Sequence, residues 1–214
     1  MQNIAYFGRY YRFNTLNKKD SVLLISPDCI IGDTYSIEIE LSEHGRRAWI
    51  INPFKDRIGF LDETSSLEIS EYLARDYTLV AFLSFVAFTE SPEGGYYWGE
   101  IAVIGYKNSS KVFVKPFSER VAKLISEGTR PDLELSDQGL KQLQDNPNSW
   151  MTSKRNPIPK MKKGSALVKT KKSIGDYFIQ QGRAKNKGCY FLSWLFILAA
   201  VTLVLFSLKS CGLL

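Results

Sequence analysis

The sequence predicts an α+β protein: a small, mainly antiparallel β-barrel or roll with one inserted helix, then amphipathic helices, a basic linker and one transmembrane helix. Three observations carry this. Short apolar or alternating segments separated by turn residues fill residues 3–61 and 78–107. Helical spacing appears between those two stretches and after them. Residues 189–208 contain no Lys, Arg, Asp or Glu.

"NIAYFGRYYRF" opens the chain with an aromatic-rich strand, and "SVLLIS" reads as a compact apolar strand. "TYSIEIEL" alternates Tyr35, Ile37, Ile39 and Leu41 with polar neighbours, the period of a half-buried strand. "SEHGRR" turns into "AWII", and "NPFKD" turns into "RIGFL". The period then changes. "SSLE" at Ser65 to Glu68 fits a capping box, with Leu67, Ile69, Tyr72 and Leu73 following at helical spacing.

"TLVAFLSFVAFTE" and "YYWGEIAVIGYK" flank the turn "SPEGG" as a long hairpin, and "KVFV" follows as a further strand. Both faces of the first hairpin strand are apolar, as expected where a strand is covered on both sides. "PFSERVAKLISEG" and "LSDQGLKQLQDN" read as amphipathic helices. The expected organisation is a β-rich domain over 1–115, a helical extension over 116–146, a basic, Pro-containing linker over 147–188, a membrane helix over 189–208 and a short tail over 209–214.

The formal net charge of +6 is unevenly distributed. Residues 1–150 hold 16 Lys and Arg against 21 Asp and Glu, whereas residues 151–188 hold 11 against the single acid Asp176. The basicity therefore belongs to one segment beside the apolar run, and general nucleic-acid affinity of the domain is not expected. Cys29, Cys189 and Cys211 are too few and too scattered for a disulfide framework or a Cys-rich zinc site, which fits a reducing compartment. "MQNIAYFGRYYRFN" lacks the features of a secretory signal.

At about 1.5 Å per residue, residues 189–208 span roughly 30 Å as a helix, the thickness of a bilayer core. Thr202 and the serines can hydrogen-bond back to their own helix, and Tyr190 and Trp194 lie near one end, where amphipathic rings favour the interface. The basic flank precedes the run and only Lys209 follows it, so the positive-inside rule places the domain in the cytoplasm. The expected layout is a single-pass, tail-anchored membrane protein.

Within the linker, 146–172 reads as an extended, mostly disordered spacer whose lysines meet anionic lipids or act only as a topology signal. "SIGDYFIQQ" puts Ile174, Tyr177 and Phe178 on one face of a short helix, which fits an interfacial segment or a docking motif for an unknown cytoplasmic protein.

"GRYYRF" in the first strand, a second apolar strand, and "RIGFL" leading into "DETSSLEISEYLARDYTLVAFLSFV" resemble the HIRAN family of small β-barrels, over about residues 3–90. The resemblance implies that Arg9, Tyr10 and Tyr11 match a segment that holds single-stranded DNA, by charge on phosphate and stacking on bases. The family's Asn-Pro-Tyr-Asp element has no counterpart in "ISPDCIIGDTYSIEIE"; Asn52 and Pro53 fall in a different turn. The acidic balance of residues 1–150 opposes phosphate affinity.

The residues offer no catalytic constellation, and no cofactor or metal is expected. His44 stands alone in a turn, without the partners a triad or zinc site needs. Glu38 and Glu40 share a strand face that suits a cation or plain solvent. Glu100, amid apolar positions beside Trp98, is the candidate buried carboxylate, with Arg9 or Arg12 as its expected partner. The candidate binding surface is an aromatic face formed by Arg9, Tyr10, Tyr11, Tyr97 and Trp98, unless the rings fill the core.

Overall fold

The computed structural model describes residues 5–42, 45–92, 94–183, 196–199 and 201–202. Residues 1–172 form one compact unit and residues 173–214 another.

The first unit is built on seven antiparallel strands: β1 (Tyr6–Asn14), β2 (Thr34–Ser42), β3 (Gly45–Ile51), β4 (Arg57–Leu61), β5 (Thr78–Thr89), β6 (Tyr96–Tyr106) and β7 (Ser165–Lys169). Their order is β2-β3-β4-β1-β6-β5-β7. A short pairing of β2 with β5, Thr34 opposite Phe82 and Tyr35 opposite Ala81, closes the first six into a barrel. The far half of the same β5 edge, from Val86 to Thr89, is left to β7. Closure removes the free edges that an open sheet presents.

The barrel interior holds Tyr11, Phe13, Ile50, Ile58, Leu61, Leu83 and Ile101. Phe13 is fully buried, and its ring lies against Gly59 and Gly99, where a Cβ would collide with it. Those two glycines make room for a fully buried phenylalanine ring.

β5 explains its own apolar character on both faces. The register against β6 slips between Leu83 and Phe85, leaving Ser84 as an extra residue. A bulge of this kind reverses the inside/outside alternation. Leu83 and Val86 therefore join the interior, while Phe85 and Ala87 pack outside with Trp98.

Three local expectations change. "SVLLIS" is not a strand: α1 (Lys18–Ser21) runs into a 3-10 turn over Val22–Ile25. The Asn17 side chain caps it by accepting from the Asp20 N–H at 2.9 Å. Only Ser21 and Leu24, three residues apart, turn inward.

The inserted helix α2 (Glu63–Ala74) starts two residues before the expected box, because Asp62 is the N-cap and accepts from the Ser65 N–H at 2.8 Å. Ser66 instead ties α2 to the barrel, accepting from the Ala48 N–H at 3.0 Å.

"KVFV" belongs to helix α3 (Lys111–Ser126), where Val114, Phe117, Val121 and Ile125 are buried at helical spacing. Pro116 falls inside this helix and forgoes one backbone bond there. Helix α4 (Asp137–Asp145) follows as expected, capped by Ser136.

The segment 147–172 is extended but is no free spacer. Arg120 of α3 donates to the carbonyls of Pro147 at 2.7 Å and Trp150 at 3.0 Å. The Asp132 N–H donates to Lys154 O and the Asn156 N–H to Arg130 O, at 3.1 and 2.7 Å. Lys169 donates from Nζ to the carbonyls of Ser26 and Cys29, and the Lys172 N–H to Ser126 O at 2.8 Å. Composition had predicted disorder because it cannot register carbonyls and sheet edges offered by a distant part of the fold.

In the second unit, helix α5 (Ile174–Arg183) forms over the expected residues. Ser173 and Asp176 cap it reciprocally: the Ser173 N–H donates to Asp176 at 2.8 Å and the Asp176 N–H to Ser173 Oγ at 3.2 Å. Among the described residues no helix is long and apolar enough to cross a membrane. The expected membrane helix over 189–208 lies outside the described residues, apart from 196–199 and 201–202, which are helical. Thr202 bonds back to the carbonyls of Leu198 and Ala199.

Candidate functional site

The outer wall of β1, β6 and β5 carries the groups the sequence singled out. In the β1/β6 register Arg12 stands opposite Glu100 and Tyr10 opposite Ala102. Tyr10, Arg12, Trp98 and Glu100 therefore share one face.

Glu100 is buried, 5% exposed, but its partner is neither Arg9 nor Arg12. Arg130, 7% exposed and just past α3, donates from Nη2 to Glu100 Oε1 at 2.5 Å. The same guanidinium reaches Ser84 Oγ at 3.4 Å, the bulge residue, and the carbonyls of Asn156 and Pro157. It also lies 4.4 Å over the Tyr10 ring. Burial raises the Glu100 pKa above the ordinary carboxylate range, against the opposing pull of Arg130 and Ser84. Through Arg130 the carboxylate fastens the wall to residues 156–157.

Arg12 faces a different neighbour. Its guanidinium stacks 3.8 Å over the Trp98 ring, and Trp98 donates from Nε1 to Thr89 Oγ1 at 2.9 Å. Thr89 Oγ1 lies 2.8 Å from Ser165 Oγ of β7. Beside this stack is a cavity of about 200 Å³ whose lining includes Tyr96, Glu100, Lys160, Met161 and Lys162. Since pockets for drug-sized ligands run to about 300–1,000 Å³, this volume suits a side chain or a small anion. With Glu100 answered by Arg130, the charges that remain around it are Arg12, Lys160 and Lys162.

The expected aromatic face is thus divided. Arg9 is held by Glu68 at 2.8 Å and Glu134 at 3.3 Å. Tyr10 is half-buried and donates to Pro131 O at 2.8 Å. Tyr11 is in the interior, Tyr97 packs on Phe88, and Trp98 is buried beneath Arg12. The Arg12 and Trp98 stack opens on the cavity of about 200 Å³, while Arg9, with Glu68 and Glu134, lines a separate cleft. Glu40 accepts from Trp49 Nε1 at 2.6 Å and from Arg57 at 3.2 Å, contacts that lower its pKa in that order, so its strand face is engaged within the protein. Among the described residues no three His, Cys, Asp or Glu side chains gather as metal ligands. Cys29 is buried and in no disulfide; His44, Cys189 and Cys211 lie outside the described residues.

Sequence reasoning missed Arg130, Glu68 and Glu134. Arg130 stands in "EGTRPDL", an ordinary helix exit, and its partner is thirty residues earlier. The usable signal was Glu100 itself, a carboxylate in an apolar strand that required a cation from somewhere.

No known family profile matches this chain, and no curated protein matches it.

Proposed function

We propose that this chain is a membrane-tethered interaction protein, acting by binding rather than turnover, whose barrel is held at the cytoplasmic face by the apolar run 189–208. The observation that carries this reading is the state of that run. Phe196, Ile197, Leu198 and Val201 are helical and each at least half exposed, which supports a lipid-facing segment over a core helix. The preceding segment, with 11 Lys and Arg against one acid, supports the orientation. The cleft beside Arg12 and Trp98, rimmed by Lys160 and Lys162, suits a carboxylate-bearing side chain of a partner.

Single-strand binding through Arg9, Tyr10 and Tyr11, as the HIRAN resemblance implies, would have to break the contacts to Glu68, Glu134 and Pro131 and extract a buried ring. The tethered reading needs no such rearrangement.

Alkaline carbonate extraction of membranes from cells making the full chain, or the chain shortened to residues 1–188, tests the proposal. The full chain is expected in the pellet and the shortened one in the supernatant. A full chain released by carbonate removes the tether.

A further inference from the structure

We propose that α5 lies in the plane of an anionic leaflet, with Ile174, Tyr177 and Phe178 turned into the lipid; this inference rests on the tethered reading. Helices of fewer than about 12 residues are marginal in water, and α5 has only ten. Its capping pair, Ser173 and Asp176, fixes where it starts but buries no apolar surface.

The residues it displays are unlike those of a solvated helix. Ile174 is 79% exposed, Phe178 70% and Tyr177 49%, and their spacing of i, i+3 and i+4 collects them on one side. A large aromatic and a branched aliphatic side by side at a helix surface mark a face that something covers.

Two features identify lipid as the cover. Lys171 and Lys172 precede the helix, and Arg183, Lys185 and Lys187 end and follow it, with Asp176 the one acid among them and occupied as a cap. Basic flanks around an apolar face match an anionic headgroup layer above acyl chains. The apolar run begins at Cys189, with only five residues between it and the end of α5. In a chain anchored there, α5 is confined near the surface it fits, so its own affinity need only be weak.

The test is hydrogen exchange on the full chain reconstituted into vesicles of phosphatidylcholine alone, or with about 30 mol% phosphatidylserine. Amides 176–183 are expected to exchange at least about tenfold more slowly with phosphatidylserine. Ile174→Ser with Phe178→Ser is expected to abolish that slowing and leave exchange in β1, β5 and β6 unchanged. Equal exchange in the two vesicles overturns the proposal, as does slowing that survives the double substitution. Protection that appears only after cytosolic protein is added also overturns it and assigns the face to a protein partner. A chain that carbonate retains, with fast exchange in α5, loses only this inference; a chain that carbonate releases loses the tether as well.

Discussion

Residues 147–172 and 173–183 lie in one stretch that is basic as a whole, with 11 Lys and Arg against one acid over 151–188, yet they behave as two different things. The first is sewn to the barrel: Arg120 and Arg130 hold its carbonyls, β7 pairs with β5, and Lys169 reaches back to Ser26 and Cys29. The second is a capped helix whose apolar side chains face outward. Lysine content sets the potential along a segment, but the partners of its main chain and apolar groups decide whether it is ordered. Within one basic stretch, the part rich in Lys and Pro is fastened to the barrel, and the part that follows forms a capped helix with exposed apolar side chains.

The sharpest way to break this contrast is to remove Arg130. Arg130→Met leaves Glu100 buried without its cation and is expected to cost about 3 kcal/mol at neutral pH, measured by denaturant unfolding. The deficit should shrink with acid. Burial already raises the Glu100 pKa, so its contribution is complete below the ordinary carboxylate range and is lost as the pH rises through the raised value. Without Arg130 that value rises further. Glu100→Gln gives the matching control: the stability of the unaltered protein relative to this variant should improve as the pH falls below neutral.

Arg120→Ala comes next. Two charge-assisted bonds to Pro147 and Trp150 are lost from a partly buried position, for an expected cost of about 2 kcal/mol, with faster hydrogen exchange confined to 147–156 and α3. Lys169→Met should cost about 1 kcal/mol in the same unfolding experiment. Ile174→Ser or Phe178→Ser, beyond the fastened segment, is expected to shift unfolding of the barrel by less than about 0.5 kcal/mol. A larger shift would show that α5 belongs to the folded core and would erase the contrast.

Much of the barrel was legible because its signals are local. Alternation in "TYSIEIEL", the turn "SPEGG" between apolar strands and the spacing in "LSDQGLKQLQDN" each reflect a periodicity that burial imposes directly. Misreadings arose where local signals compete. "SVLLIS" has strand-like residues, but the Asn17 cap and inward positions three residues apart, Ser21 and Leu24, make it a helical turn. "SSLE" has the form of a capping box, yet Asp62 takes the cap first, while the box that does close is "SIGD" at Ser173.

Closure through β2 and β5, the bulge at Ser84 and the Arg130 pair were illegible for another reason. Each depends on residues brought together from distant parts of the chain, and none leaves a periodic trace. At the candidate site Glu100 was legible as an anomaly, whereas Arg12 was read only as a partner for it. Their separate destinies, one in an ion pair and one over Trp98, were fixed by residues 130 and 98 in the folded wall.

The most direct test is protease digestion of sealed native membranes from the cytoplasmic side, with the released fragment mapped by mass. A domain tethered through 189–208 and clad by 147–172 predicts a soluble fragment that retains the barrel together with residues 147–172. A domain protected inside the vesicles contradicts the orientation, and a fragment ending before Arg130 meets residues 156–157 contradicts the cladding.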